Sequence, residues 1–153
     1  MMDMTKDHGK IAEELFAGGC NCSQAVVAAF EDVTGFDRET SLRVASALGG
    51  GMCRMREVCG AVSGAMLVLG MAEGDGSESD HVKKADLYKR GQDFCGIFKD
   101  EMGSIICREL LGLPGGKDSP VPEKRTNEYY KKRPCGEIVR FAAKTLEKML
   151  EDK

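Results

Sequence analysis

VCGAVSGAMLVLGMA, residues 58–72, is the longest apolar run in this chain of 153 residues. Its 15 residues fall short of the about 20 that a bilayer span needs, so it predicts a buried core helix and no membrane insertion. Gly60 and Gly64, about one helical turn apart, leave room for a neighbouring helix to come close. A helix this apolar must be covered by other elements, and the rest of the chain offers helices to do it.

Upstream, Ile11 with Leu15 and Ala12 with Phe16 repeat at i, i+4 in DHGKIAEELFAGG, which Gly18-Gly19 stops. CNCSQAVVAAFEDVTG begins near Asn21, a good N-cap, and carries Val26, Ala29, Phe30 and Val33 on one face. DRETSLRVASAL predicts a third helix running into Gly49-Gly50-Gly51. Beyond the polar loop EGDGSESD, HVKKADLYKRGQDFCGIFKDEM is a long amphipathic segment with Ala85, Tyr88, Cys95, Phe98 and Met102 in register. SIICRELLG makes a short helix. All four prolines lie between Pro114 and Pro134, in an extended connection with one helical turn near Asn127–Lys131. CGEIVRFAAKTLEKMLED closes the chain with Ile138, Ala142, Leu146 and Met149 on one stripe. No stretch alternates long enough for a sheet. The expected class is all-α, a single-domain multi-helix bundle over residues 1–153.

A net charge of −3 and a pI near 5.5 give no general attraction for nucleic acid or anionic membrane. The one basic cluster, KRTNEYYKKR at 124–133, reads as a solvated surface segment. The N-terminus carries acids and no apolar core, so it is no secretory signal, and a soluble, cytoplasmic protein is expected. His8 and His81 lie in polar contexts outside any H-x-x-x-H pair, which places them at the surface. GLPGGKDS departs from a phosphate-binding loop, with Leu111 where glycine is needed and Asp118 where Ser or Thr is needed. Met52, Met55, Met66 and Met71 read as core filling.

Seven cysteines without an export signal turn attention from disulfides to metal binding or redox chemistry. Four of them fall at predicted helix starts: Cys22 after Asn21, Cys59 opening CGAVSG, Cys107 after a cap at Gly103-Ser104, and Cys135 after Pro134. Unpaired amides and the macrodipole at such ends favour thiolate over thiol, the form that attacks and that binds metal. Their separations of 36, 47 and 27 residues, with no C-x-x-C, suit neither a zinc knuckle nor a ferredoxin. Arg54 and Arg56 flank this motif, either as a solvated loop or as cations beside an anionic centre.

The text around these cysteines resembles a family of redox-active proteins named for a C…GCAxxG…C…C pattern. The matching stretches are GGCNCSQAV at 18–26, RMREVCGAVSGAMLVLG at 54–70, GSIICRELLG at 103–112, and Cys135 at the last helix. The family is similar to the cysteine-bearing region of split-Soret cytochromes c, which are dimeric and associate such cysteines with an iron–sulfur centre. The resemblance implies a cluster of the [2Fe–2S] type on Cys22, Cys59, Cys107 and Cys135, used for electron transfer or redox sensing with a separate redox partner protein, rather than a stand-alone enzyme. It also suggests a homodimer. Covalent haem is not expected, since C-x-x-C-H is absent.

Two alternatives stay open. One is a metal-free dithiol–disulfide switch with Cys59 as the low-pKa attacking thiol and Cys20, Cys22 or Cys53 resolving it. The other is a structural zinc site in an interaction module. Cys95 reads as packing in its amphipathic helix.

Overall fold

The computed structural model describes residues 2–152. Among these, nine helices form and no strands, with a single isolated antiparallel bridge between Val58 and Ile106. The all-α expectation holds. The helices are α1 His8–Ala17, α2 Cys22–Ala29, α3 Glu31–Thr34, α4 Arg38–Ala45, α5 Gly60–Glu73, α6 His81–Met102, α7 Cys107–Leu110, α8 Asn127–Lys132 and α9 Cys135–Glu151.

Side-chain caps explain most of the starts. Asp7, Asp37, Asp80 and Thr126 each accept a backbone N–H from the first turn of the helix that follows. Asn21 and Gln24 form a reciprocal capping box on α2. The core gathers α1 on α9, α2 on α5, and α1 on α2. Ala12, Phe16, Val26, Phe30, Val62, Val68, Leu69, Val139 and Leu146 are buried there.

The α2–α5 crossing is where the two glycines act. A Cβ on Gly64 would lie 2.9 Å from the carbonyl oxygen of Ser23, and one on Gly60 would lie 3.2 Å from the Cβ of Cys22. Only bare backbone lets these helices approach so closely, and the approach brings the starts of α2 and α5, with Cys22 and Cys59, side by side.

Three expectations are corrected. The second predicted helix breaks at Phe30, whose backbone leaves the helical region and whose ring stacks on His8 with centroids 4.4 Å apart. In α6 only Phe94 and Phe98 are buried, while Ala85 and Tyr88 are exposed. The reason is length: Arg90 reaches both Glu73 at the end of α5 and the carbonyl of Met149 near the end of α9, so the first turns of α6 run past both neighbours. Met52 and Met71 are exposed rather than core-filling, whereas Cys95 packs against the core as expected.

His8 is also not at the surface. It is fully buried, with Nε2 3.0 Å from Asp32 and Nδ1 2.7 Å from Glu147. That cluster ties α1, α3 and α9 together. His81 is exposed, as expected.

Among the described residues, no helix is long and apolar enough to cross a membrane.

Candidate functional site: a cysteine-lined cavity

Cys22 and Cys135 occupy the first positions of α2 and α9, Cys107 that of α7, and Cys59 is the N-cap of α5. All four line one cavity of about 420 Å³, so the structure brings together the four cysteines that the sequence singles out. Cys59, Cys107 and Cys135 are buried and Cys22 is half-buried. All seven cysteines are free thiols.

Two irregular segments close the cavity, and they are laced together by backbone. The amide of Cys59 donates to Ile105 at 2.8 Å, and the amide of Cys107 donates to Glu57 at 2.6 Å. Contrary to expectation, Gly103-Ser104 does not cap the helix that Cys107 opens. Its N-cap is Ile106, whose amide donates to the Ser104 hydroxyl while its own residue bridges Val58.

The segment before Cys59 has an unusual backbone. Gly50, Gly51, Met52, Cys53 and Arg54 all have positive φ, from 51° to 71°, and Arg56 follows at 60°. Four of these six are not glycine, and each side chain there costs about 1–2 kcal/mol through its Cβ. The amides of Met52, Cys53, Arg54 and Arg56 return to the carbonyls of Leu48, Ala47, Gly49 and Gly50, so backbone hydrogen bonds brace the strained turn. Gly51 lies so close to Cys107 that a Cβ would sit 2.7 Å from that cysteine's own Cβ.

This turn delivers Arg56 into the interior. The side chain is buried, with Nη1 3.6 Å from Cys107 Sγ and Nη2 3.1 Å from Asp118. Of the two readings of Arg56 left open by the sequence, the solvated loop is excluded. Arg54 shares the same aspartate at 3.4 Å. Arg125, read from the sequence as part of a solvated cluster, instead also lines the cavity, with its guanidinium 4.4 Å over Phe16 and donating to the carbonyls of Phe16 and Cys20. Arg125, Arg133 and Tyr129 were missed because a run of basic residues carries no hint that its aromatic neighbours dock it onto α1.

The thiols do not behave uniformly. Burial pushes Cys59 up to about 12, although the amides of Ala61 and Val62 pull the other way. The interaction of Cys22 with Cys135 holds Cys22 well above the ordinary thiol range and Cys135 below it. The helix-start argument fails at Cys59, where loss of water outweighs two amides, and at Cys135 the lowering comes from Cys22 and the nearby arginines Arg133, Arg125 and Arg56. Cys59 is no low-pKa attacking thiol.

Among the described residues, no three His, Cys, Asp or Glu side chains are gathered tightly enough to hold one metal ion. Cys53 lines the cavity from an exposed position, while Cys20 lies outside its lining.

The family model described as "Putative redox-active protein (C_GCAxxG_C_C)" matches residues 20–149. The chain belongs to this family. No curated protein and no solved structure matches it. Membership of this redox-active family covers every element that contributes a cysteine to the cavity, from α2 to α9.

Proposed function

We propose that Cys22, Cys59, Cys107 and Cys135 hold a [2Fe–2S] cluster, and that the protein carries or senses single electrons with it on behalf of a partner protein. The observation that carries this reading is convergence: four thiols far apart in sequence, each at a helix start, line one cavity.

The donor set suits such a group. A single tetrahedral zinc requires all its sulfurs about 2.3 Å from one point. A two-iron centre distributes its thiolates over a wider space. When bound, it supplies one-electron redox chemistry at a potential set by burial and by hydrogen bonds to sulfur. The protein's part is to exclude water around three buried sulfurs and to aim donors at them: Arg56 at Cys107, and the amides of Ala61 and Val62 at Cys59.

The thiol-switch alternative is weakened by the same facts. Exchange needs an accessible thiolate. Cys59 is buried and held neutral up to about 12, so it waits for a metal cation to displace its proton.

The test is made on protein prepared without oxygen from iron-replete cells. We expect a brown protein with matched iron and sulfide, both lost in Cys59→Ser. Colourless protein without iron overturns the reading. Zinc in its place would establish the structural site, and neither metal the thiol switch.

A further inference from the structure

Arg56 is a charged side chain that the fold buries at the cavity wall. It is 5% exposed, so its guanidinium has lost nearly all its water. It has one carboxylate neighbour, Asp118, which is 37% exposed and divided between Arg56 and Arg54. Two cations facing one anion leave an excess positive charge at the cavity wall. The Nε–H of Arg56 is buried without a hydrogen-bond partner. An unsatisfied buried donor is costly, more so when charged, and the residue also holds a positive φ of 60°.

Asp118 and the Cys107 sulfur offset part of these costs, and nothing among the described residues meets Nε. The remaining costs are explained if what Arg56 faces is negatively charged. It lines the cavity, and its Nη1 lies 3.6 Å from the sulfur of Cys107.

We propose that Arg56 is the charge-compensating donor of the cysteine-lined centre and that it sets the centre's reduction potential upward, with Asp118 opposing it. This rests on the cluster reading above. Uptake of one electron adds one negative charge to the centre, and a fixed, desolvated cation beside a ligating sulfur favours that more negative state. Arg56 is a positioning residue in this scheme: it neither exchanges a proton nor binds iron. Lysine keeps the charge but not the planar fork, and glutamine keeps a donor without the charge. Asparagine at position 118 can still accept from Nη2 while removing the opposing charge.

The experiment is an anaerobic potentiometric titration, followed by visible absorption, of wild type, Arg56→Gln, Arg56→Lys and Asp118→Asn, with iron and sulfide measured on each. We expect a lower midpoint in Arg56→Gln, a smaller fall in Arg56→Lys, and a higher midpoint in Asp118→Asn, all at wild-type iron content. A loaded Arg56→Gln protein with the wild-type midpoint overturns the proposal. If that variant does not fold, Asp118→Asn decides, since its side chain is partly exposed: an unchanged or lowered midpoint overturns the proposal. Iron-free wild type removes the cluster reading itself and this proposal with it, a failure distinct from loaded protein whose midpoint ignores Arg56.

Discussion

Two interior side chains, His8 and Arg56, hold their nitrogens under opposite conditions. His8 is enclosed by carboxylates: Asp32 at Nε2, Glu147 at Nδ1 and at its own amide, and the Phe30 ring stacked on its face. Every polar atom of its ring has a partner, and the carboxylates outnumber it. Arg56 has part of one carboxylate, a thiol sulfur and an orphaned Nε. Burial costs both groups solvation, and only His8 recovers it within the chain. A polar cluster that is complete is structure. One that is incomplete beside a cavity is waiting for something. The difference teaches which end of this molecule does chemistry.

The comparison breaks if removing His8 is cheap. His8→Ala strips both carboxylates of a shared partner and opens a hole beside Phe30, and should cost about 3–5 kcal/mol in urea unfolding. Iron and sulfide per folded chain should not change. Arg56→Gln should show the reverse profile: a change of about 1 kcal/mol or less in the metal-free protein, because the charge it removes was poorly compensated, and a large change in the centre's potential. A loss below about 1 kcal/mol for His8→Ala would mean that its ion pairs merely fill space.

Acid sharpens the same contrast by a smaller amount. Burial pushes the Asp32 carboxyl up, but the Asp3 amide and His8 outweigh it and hold the group below its ordinary value. A carboxyl depressed in the folded state stabilises the fold above the unfolded value and loses that contribution as pH falls through the folded one. The stability of the wild type should therefore begin to fall below about pH 4. Asp32→Asn should be less stable at neutral pH and show a flatter acid limb. Parallel acid limbs in the two proteins would remove Asp32 from the account.

Legibility followed the range of the interactions. Caps and periodicity are local, so Asn21, the apolar stripe of α9 and the core helix from Gly60 were readable, and with them the four cysteines at helix starts. Gly60 and Gly64 foretold a close crossing, though not which helix would take it. The burial of His8 was not readable, because its partners lie 24 and 139 residues away. Nor was the extent to which α6 outruns its neighbours, since an amphipathic stripe records what could be buried rather than what is. The fate of each thiol depended on a balance between amides and burial that only the assembled cavity decides. The left-handed run at 50–56 left a partial signal in Gly49-Gly50-Gly51, but Met52, Cys53, Arg54 and Arg56 gave no sign that they would share it.

That run supplies the smallest and most discriminating effect. Met52 has a φ of 69°, is 45% exposed, and sits in the same strained turn as Arg56. Its Cβ carries the left-handed penalty while its side chain meets mostly water. Met52→Gly removes the penalty at some cost in chain entropy, so a gain of about 1 kcal/mol in urea unfolding is expected. The hydrogen bond from the backbone N–H of residue 52 to the carbonyl of Leu48 needs no side chain and should persist. If strain exists only to deliver Arg56 to Cys107, relieving it at position 52 should leave the midpoint potential unchanged while stability rises. A rise in stability accompanied by a shifted midpoint would mean that the strained turn tunes the centre as a unit, with Arg56 as its most visible member. A loss of stability would show that the side chain of Met52 holds the turn in place, and that the left-handed geometry is supported by contacts as well as by glycine.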